Sequence, residues 1–280
     1  MITNAIVDSA ISIAERRAKR AGSSIYSGRP LTLIERGLYA AKSSNWLVIV
    51  SGFVEPVLYL LSFGFGIGQL IGDMQDGNGN PVSYAAFIAP ALLATSAMNG
   101  AIYDSTWNVF FKMHFGKIYQ VMLSSSMGPL DVALGEIIWA LLRGFVYALG
   151  FMAIVTPLGL VTNWWGLLAI PAAMLIAFGF ASLGMAVTSY MKNFQQMNWV
   201  NFILLPMFLF SGTFFPVSVY PAWIQSIVMA LPLWQGVEMV RSLMLGIVDL
   251  ALLGHVTYFV LMIIGGLIFT TLRLKALFMR

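Results

Sequence analysis

Six runs of about 20 apolar residues leave this chain little choice of environment, because a run of that length matches the hydrocarbon thickness of a bilayer. They are Trp46–Ile71, Tyr84–Val109, Asp131–Val155, Trp164–Tyr190, Trp199–Phe215 and Leu250–Leu272. The fifth is short and carries Pro206. Of 280 residues 59% are hydrophobic and 9% charged, whereas a soluble domain carries roughly 25% charged residues. The expected fold is all-α and integral to the membrane, with six transmembrane helices over residues 45–280 and both termini on one side.

Charge indicates which side. The segment up to residue 44 holds seven basic residues, Arg16, Arg17, Lys19, Arg20, Arg29, Arg36 and Lys42; Lys112, Lys117, Lys192, Arg273, Lys275 and Arg280 fall at the same face. The loops at 72–83 and 156–163 have none. The positive-inside rule puts both ends in the cytoplasm. The net charge of +4 therefore reflects topology, and no nucleic-acid partner is expected. Trp164, Trp165, Tyr220, Trp223 and Trp234 suit an aromatic belt on the outer side.

Three stretches do not fit a simple span. Residues 204–246 break at Ser211-Gly212, turn at Pro216 and Pro221 and break again at Leu231-Pro232. They are too interrupted for one span and too apolar for a water-exposed loop. The expectation is a re-entrant outer helical hairpin at about 213–246, between spans five and six, because broken backbone at membrane depth survives only where protein or a wet cavity satisfies it. Thr32 and Glu35 have capping-box spacing, and Leu31, Ile34, Leu38 and Ala41 share a face. A helix in the interface plane is expected at 31–44, preceded by a basic cytoplasmic arm, 1–30, with a short helix at 4–20. Residues 113–124 read as a short amphipathic helix, either a docking point for a soluble partner or a mere connector.

Polar chemistry lies within the apolar runs. Glu55 and Arg143 are at comparable depth, and a charge at bilayer centre costs at least ~2.5–3.5 kcal/mol, so each needs a partner or a wet cavity. The expectation is that they pair, with Glu136 and Asp104 completing an inner polar cluster. Such charges either hold helices together or touch substrate. Glu238 and Arg241, three apart on one helical face, suit a clamp on the outer hairpin, with substrate recognition as the alternative. Gly64, Gly68 and Gly72 have the small-xxx-small spacing of close helix packing.

Other chemistry is missing. The chain has no cysteine, hence no disulfide, thiolate metal site or cysteine nucleophile. His114 and His255 are far apart and lack HExxH spacing, so no metal site is expected. Gly116-Lys117 lacks the upstream glycine of a phosphate loop, since Phe111 stands there. The Asp76–Pro81 segment begins like a calcium loop but has Pro81 for the required glycine and Phe87 for the required glutamate. No serine lies in a GxSxG elbow.

Several segments together resemble the permease subunit of type-2 ABC exporters, most closely the nodulation lipo-oligosaccharide exporter permeases. They are Phe180–Thr188, the Leu205–Val217 segment LPMFLFSGTFFPV, Tyr220–Trp223, Leu231-Pro232-Leu233, and Glu238-x-x-Arg241 followed by Leu245-Gly246. Met122–Ser126, Leu130-Asp131 and Leu134-Gly-Glu136 are similar too, so the resemblance covers about residues 31–272. It implies an interfacial connecting helix, a coupling helix bearing Lys117, Ile118, Tyr119, Met122 and Leu123, and the outer hairpin. It also implies a second permease, an identical copy or a related chain, with two ATP-binding cassette subunits that carry ATP and Mg, and no cofactor on this chain. The expected function is export of an amphipathic cargo across a bacterial inner membrane. The translocation path would be lined mainly by spans one, two and five, with Phe208, Phe210, Phe214 and Phe215 near the outer exit. The rival readings are an intramembrane lipid-modifying enzyme, which needs clustered Asp or His, and an ATP-independent channel.

Overall fold

The computed structural model describes residues 25–42, 47–75, 79–124 and 127–278. The helix expected at 4–20 and the bases Arg16, Arg17, Lys19 and Arg20 lie outside the described residues. What is described is mostly helical. Helix α1, Leu31–Lys42, leads to α2, Leu47–Tyr59, which continues through a π-helical stretch, Leu60–Ile67, into Gly68–Ile71. A short antiparallel ribbon, β1 (Met74–Gln75) and β2 (Pro81–Val82), precedes α3, Tyr84–Tyr103. Wide turns at Asp104–Asn108 carry α3 into Val109–His114. Then come α4 (Ile118–Leu123), α5 (Pro129–Val155) and α6 (Ala169–Thr188, entered through a 3-10 turn at Trp164–Leu168). Helices α7 (Met197–Phe210), α8 (Ala222–Ala230), α9 (Pro232–Leu245) and α10 (Ala251–Phe278) complete the chain.

Among the described residues five helices are long and apolar enough to cross a membrane: Gly52–Ile71, Tyr84–His114, Pro129–Val155, Trp164–Thr188 and Ala251–Phe278. The expected fifth run forms α7 instead, with only 14 residues. At 1.5 Å per residue it reaches about 21 Å, short of a hydrocarbon core of about 30 Å. The chain leaves helical geometry at Ser211, where the Ser211 and Thr213 hydroxyls bond each other at 2.8 Å.

Helix α3 is the centre of the bundle. Its sequence is apolar on every side and rich in alanine, the pattern of a helix surrounded by protein. Small residues let neighbouring backbones come close. Helices α5, α6 and α9 and the π-helical part of α2 all pack on it. From Tyr84 to Ile102 every side chain is buried except Asn99; one turn on, Tyr103 is 53% exposed. The central helix thus opens on one side only.

The seam between α2 and α3 is held by a hydroxyl. Pro56 has no N–H, which frees the carbonyl four residues earlier. That carbonyl belongs to Gly52, and Ser96 Oγ of α3 donates to it at 3.1 Å. Gly52 also admits the Tyr147 ring of α5, since a Cβ there would fall inside the ring. Gly52→Ala is expected to cost about 1–3 kcal/mol, as overpacking does, and to lower the thermal unfolding midpoint of the detergent-solubilised chain. Gly66→Ala, where a Cβ meets open space, should leave the midpoint in place. Equal shifts for the two variants would rule out the packing account.

Helix α1 is fastened to the start of α5. The buried Asp131 carboxylate accepts from the backbone N–H groups of Ser27 (2.6 Å), Arg29 (2.9 Å) and Gly128 (2.9 Å). It closes the N-terminus of α5 and ties down the segment before α1 in one step, where a negative charge also suits the helix dipole. Leu33, 7% exposed, lies over Gly135, where any Cβ would collide with it.

Candidate functional site

A cavity of about 860 Å³ lies between α2, α3, α5 and α7. Its bundle side is polar. Helix α2 supplies Glu55 and Tyr59, α3 supplies Thr95, Ser96, Asn99 and Tyr103, and α5 supplies Arg143 and Tyr147. The α7 side is apolar apart from Asn201, with Leu204, Leu205 and Phe208. Asn99 and Tyr103 are the residues at which α3 is open, so the central helix exposes itself to this cavity. On the other flank of α7 runs a wholly apolar groove of about 690 Å³ against α6 and α8. Helix α7 thus stands off from the bundle on both sides. It leaves Trp199, Phe202, Ile203 and Leu205 each more than 60% exposed.

The expected Glu55–Arg143 pair does not form. Arg143 Nη1 is 3.0 Å from Asp104 Oδ1, on a carboxylate whose side chain is 3% exposed. Asn108 donates to the same oxygen. Depth matching identified the right plane but not the right carboxylate, because the wide turns at Asp104–Asn108 bring Asp104 to Arg143. Glu136 pairs with Lys112 at 2.6 Å, a residue that reads from sequence as a surface charge. Asp104, Glu136 and Arg143 thus belong to one inner cluster of two ion pairs. Glu55 lies outside it, exposed to the cavity and without an ion pair or hydrogen bond among the described residues.

The cluster reaches α4. Tyr119 is fully buried beneath the bundle, and its hydroxyl faces Glu136. Burial, and next the Glu136 charge, push this phenol well above its ordinary range, so it stays protonated. Yet neither Tyr119 Oη nor Glu136 Oε1 has a hydrogen-bond partner among the described residues. Tyr119 and Leu123 are both buried, and Ile118 and Met122 half-buried. The structure divides the expected set: these four attach α4 to the bundle, whereas Lys117, just before α4, is exposed together with Gln120 and Val121. Helical geometry is the reason, since residues 118, 119, 122 and 123 share one face.

At the opposite end Glu238 and Arg241 form an ion pair on α9. Arg241 does more than pair. It is 7% exposed, donates to the Gly212 carbonyl at 2.7 Å and the Phe87 carbonyl at 3.4 Å, and lies 4.0 Å from the centre of the Phe87 ring. Of the four phenylalanines expected at the exit, only Phe208 lines the cavity. Phe210 is 200° further round α7 and lines the apolar groove instead. Phe214 packs on Phe63 and Phe208, and Phe215 is 52% exposed. The histidines have ordinary partners: His114 Nε2 donates to the Met191 carbonyl at 3.0 Å, and His255 bonds Gln235.

A bundle with five helices able to cross a membrane defines a multi-pass membrane protein, here with a half-polar cavity between its helices. The family model described as ABC-2 type transporter matches residues 31–245. Nodulation protein J of Rhizobium leguminosarum bv. viciae is 32% identical over 218 residues, 77% of this chain and 82% of that protein. Nodulation protein J of Neorhizobium galegae is 28% identical over 200 residues, 71% of this chain and 74% of that protein. The inner membrane transport permease YadH of Escherichia coli is 25% identical over 196 residues, 68% of each chain. The chain belongs to the ABC-2 type transporter family and is a transport permease, as the sequence resemblance implies.

Proposed function

We propose that this permease exports an amphipathic cargo, such as a lipid-linked oligosaccharide, a glycolipid, a polysaccharide or a drug, across a bacterial inner membrane. Two separate ATP-binding cassette subunits carry ATP and Mg and drive it. The observation that carries this reading is the cavity between α2, α3, α5 and α7, polar on one wall and apolar on the other. In this reading α7, with its flanking turns, is the fifth of six crossing segments, α1 lies in the interface plane, and α8 and α9 form a re-entrant outer hairpin. A second copy of the chain covers the exposed face of α7, so that two cavities face each other. Both termini are cytoplasmic, in keeping with Arg29, Arg36, Lys112, Lys117, Lys192 and Arg273 gathering toward the α1 end.

Coupling to ATP runs through α4. A cassette subunit pressing on Lys117, Gln120 and Val121 moves Tyr119 against Glu136, and Glu136 is tied to Lys112 in the Val109–His114 piece that follows α3. Affinity purification of the full chain from its native membrane in mild detergent, with mass spectrometry and an ATPase assay, tests the whole reading. An ATP-binding cassette protein with ATPase activity is the expected result. A chain that purifies alone from several detergents, with no associated ATPase, would overturn it.

A further inference from the structure

The charges around the cavity do not balance. Arg143 is matched by Asp104 at 3.0 Å, and Lys112 by Glu136 at 2.6 Å. Each cation at this depth therefore has its own carboxylate. Glu55 is in excess: it lines the cavity, is exposed to it, and has no ion pair or hydrogen bond among the described residues. Two tyrosines, Tyr59 and Tyr103, expose their rings to the same space, while Tyr147 is buried against Gly52 beside Arg143. Across from them the α7 wall offers Leu204, Leu205 and Phe208.

We propose that the cavity binds the ammonium group of an amphiphile, with Glu55 as counter-ion, the tyrosines around the cation and the alkyl portion along α7. The inference rests on the transport reading and narrows its cargo. A cation gains from the uncompensated carboxylate and from tyrosine rings, which attract positive charge through their quadrupoles. An anionic headgroup is repelled by the same carboxylate. A neutral one leaves Glu55 to water and gains nothing from its charge. In a wall screened from bulk solvent these terms are worth more than at an open surface.

The test uses the full-length chain in neutral-lipid nanodiscs, without ATP, and a fluorescent long-chain alkyltrimethylammonium probe beside the matching alkyl alcohol. The wild type is expected to bind the ammonium probe about tenfold more tightly than the alcohol, in the range of a partly desolvated cation–aromatic contact. Glu55→Gln should abolish that preference, and an unchanged thermal unfolding midpoint, expected because Glu55 is exposed and has no ion pair among the described residues, shows that the variant is folded. Competition by free choline at concentrations near those of the probe would identify a water-soluble source for the ammonium group. Competition by amphiphiles alone would identify a membrane source. Both results support the site and differ only in where the ligand comes from. No preference in the wild type, or a preference that survives Glu55→Gln, overturns the inference. Because the measurement needs no ATPase, an uncharged cavity preference in a chain that does co-purify with a cassette protein defeats only this inference. The absence of any cassette partner defeats the transport reading while the binding result stands.

Discussion

Arg241→Ala is expected to destabilise the protein by on the order of 3–5 kcal/mol, the range for removing one partner of a buried ion pair. The loss has three sources. The Gly212 carbonyl forfeits a 2.7 Å bond from the guanidinium and the Phe87 carbonyl a longer one. The Phe87 ring loses the cation over its face. Glu238, 29% exposed, keeps its charge without its partner. Arg241→Lys should recover only part of this, because an ammonium cannot serve a carboxylate and two separate carbonyls with a planar fork. Glu238→Gln should be the mildest, since that side chain already meets solvent and Arg241 retains both carbonyls. Thermal unfolding followed by tryptophan fluorescence orders the three. Finding Glu238→Gln as damaging as Arg241→Ala would show that the ion pair, and not the carbonyl contacts, holds α9 in place.

Asp131→Ala is expected to have an effect of similar size, on the order of 4 kcal/mol, from three hydrogen bonds to a buried charge that are lost together. Its signature is local. The segment before α1 should come away from α5, because Ser27 and Arg29 lose the acceptor that anchors them. The chain has no cysteine, so Ser27→Cys supplies a unique thiol. Its labelling by a water-soluble maleimide should accelerate more than tenfold in the Asp131→Ala background, as a loss of about 1.4 kcal/mol or more in local closure implies. Asp131→Asn keeps one acceptor oxygen and should fall between. An unchanged labelling rate would mean that Leu33 against Gly135 suffices to dock α1.

These two residues also mark how far the sequence can be read. The long apolar helices are legible because hydropathy is a local property, and the break at Ser211-Gly212 and the turn at Pro232 are written in residue type. The Glu238–Arg241 pair is legible too, since helical spacing puts both on one face. The carbonyl partners of Arg241 are not, for they lie 29 and 154 positions away and backbone oxygens carry no sequence signature. Asp131 reads as a helix-start residue, but nothing in the sequence says that it also anchors Ser27. The Glu55–Arg143 expectation failed for a comparable reason. Depth in the membrane is legible, whereas rotation about the helix axis depends on wide turns such as Asp104–Asn108. Thr95, Ser96, Asn99 and Tyr103, within one apolar run, did carry a signal for the cavity wall that charge alone obscured.

The burial of α3 has a consequence for how the molecule is made. Of the partners that cover it, only the stretch at the end of α2 precedes it; α5, α6 and α9 all follow it in the chain. A ribosome delivers α3 to the membrane before these three exist, so the alanine faces they cover first meet lipid and later exchange lipid for protein. The centre of the finished bundle is therefore a product of late assembly, complete only after residue 245 has emerged. A chain cut short before α9 holds its central helix in an environment it does not keep.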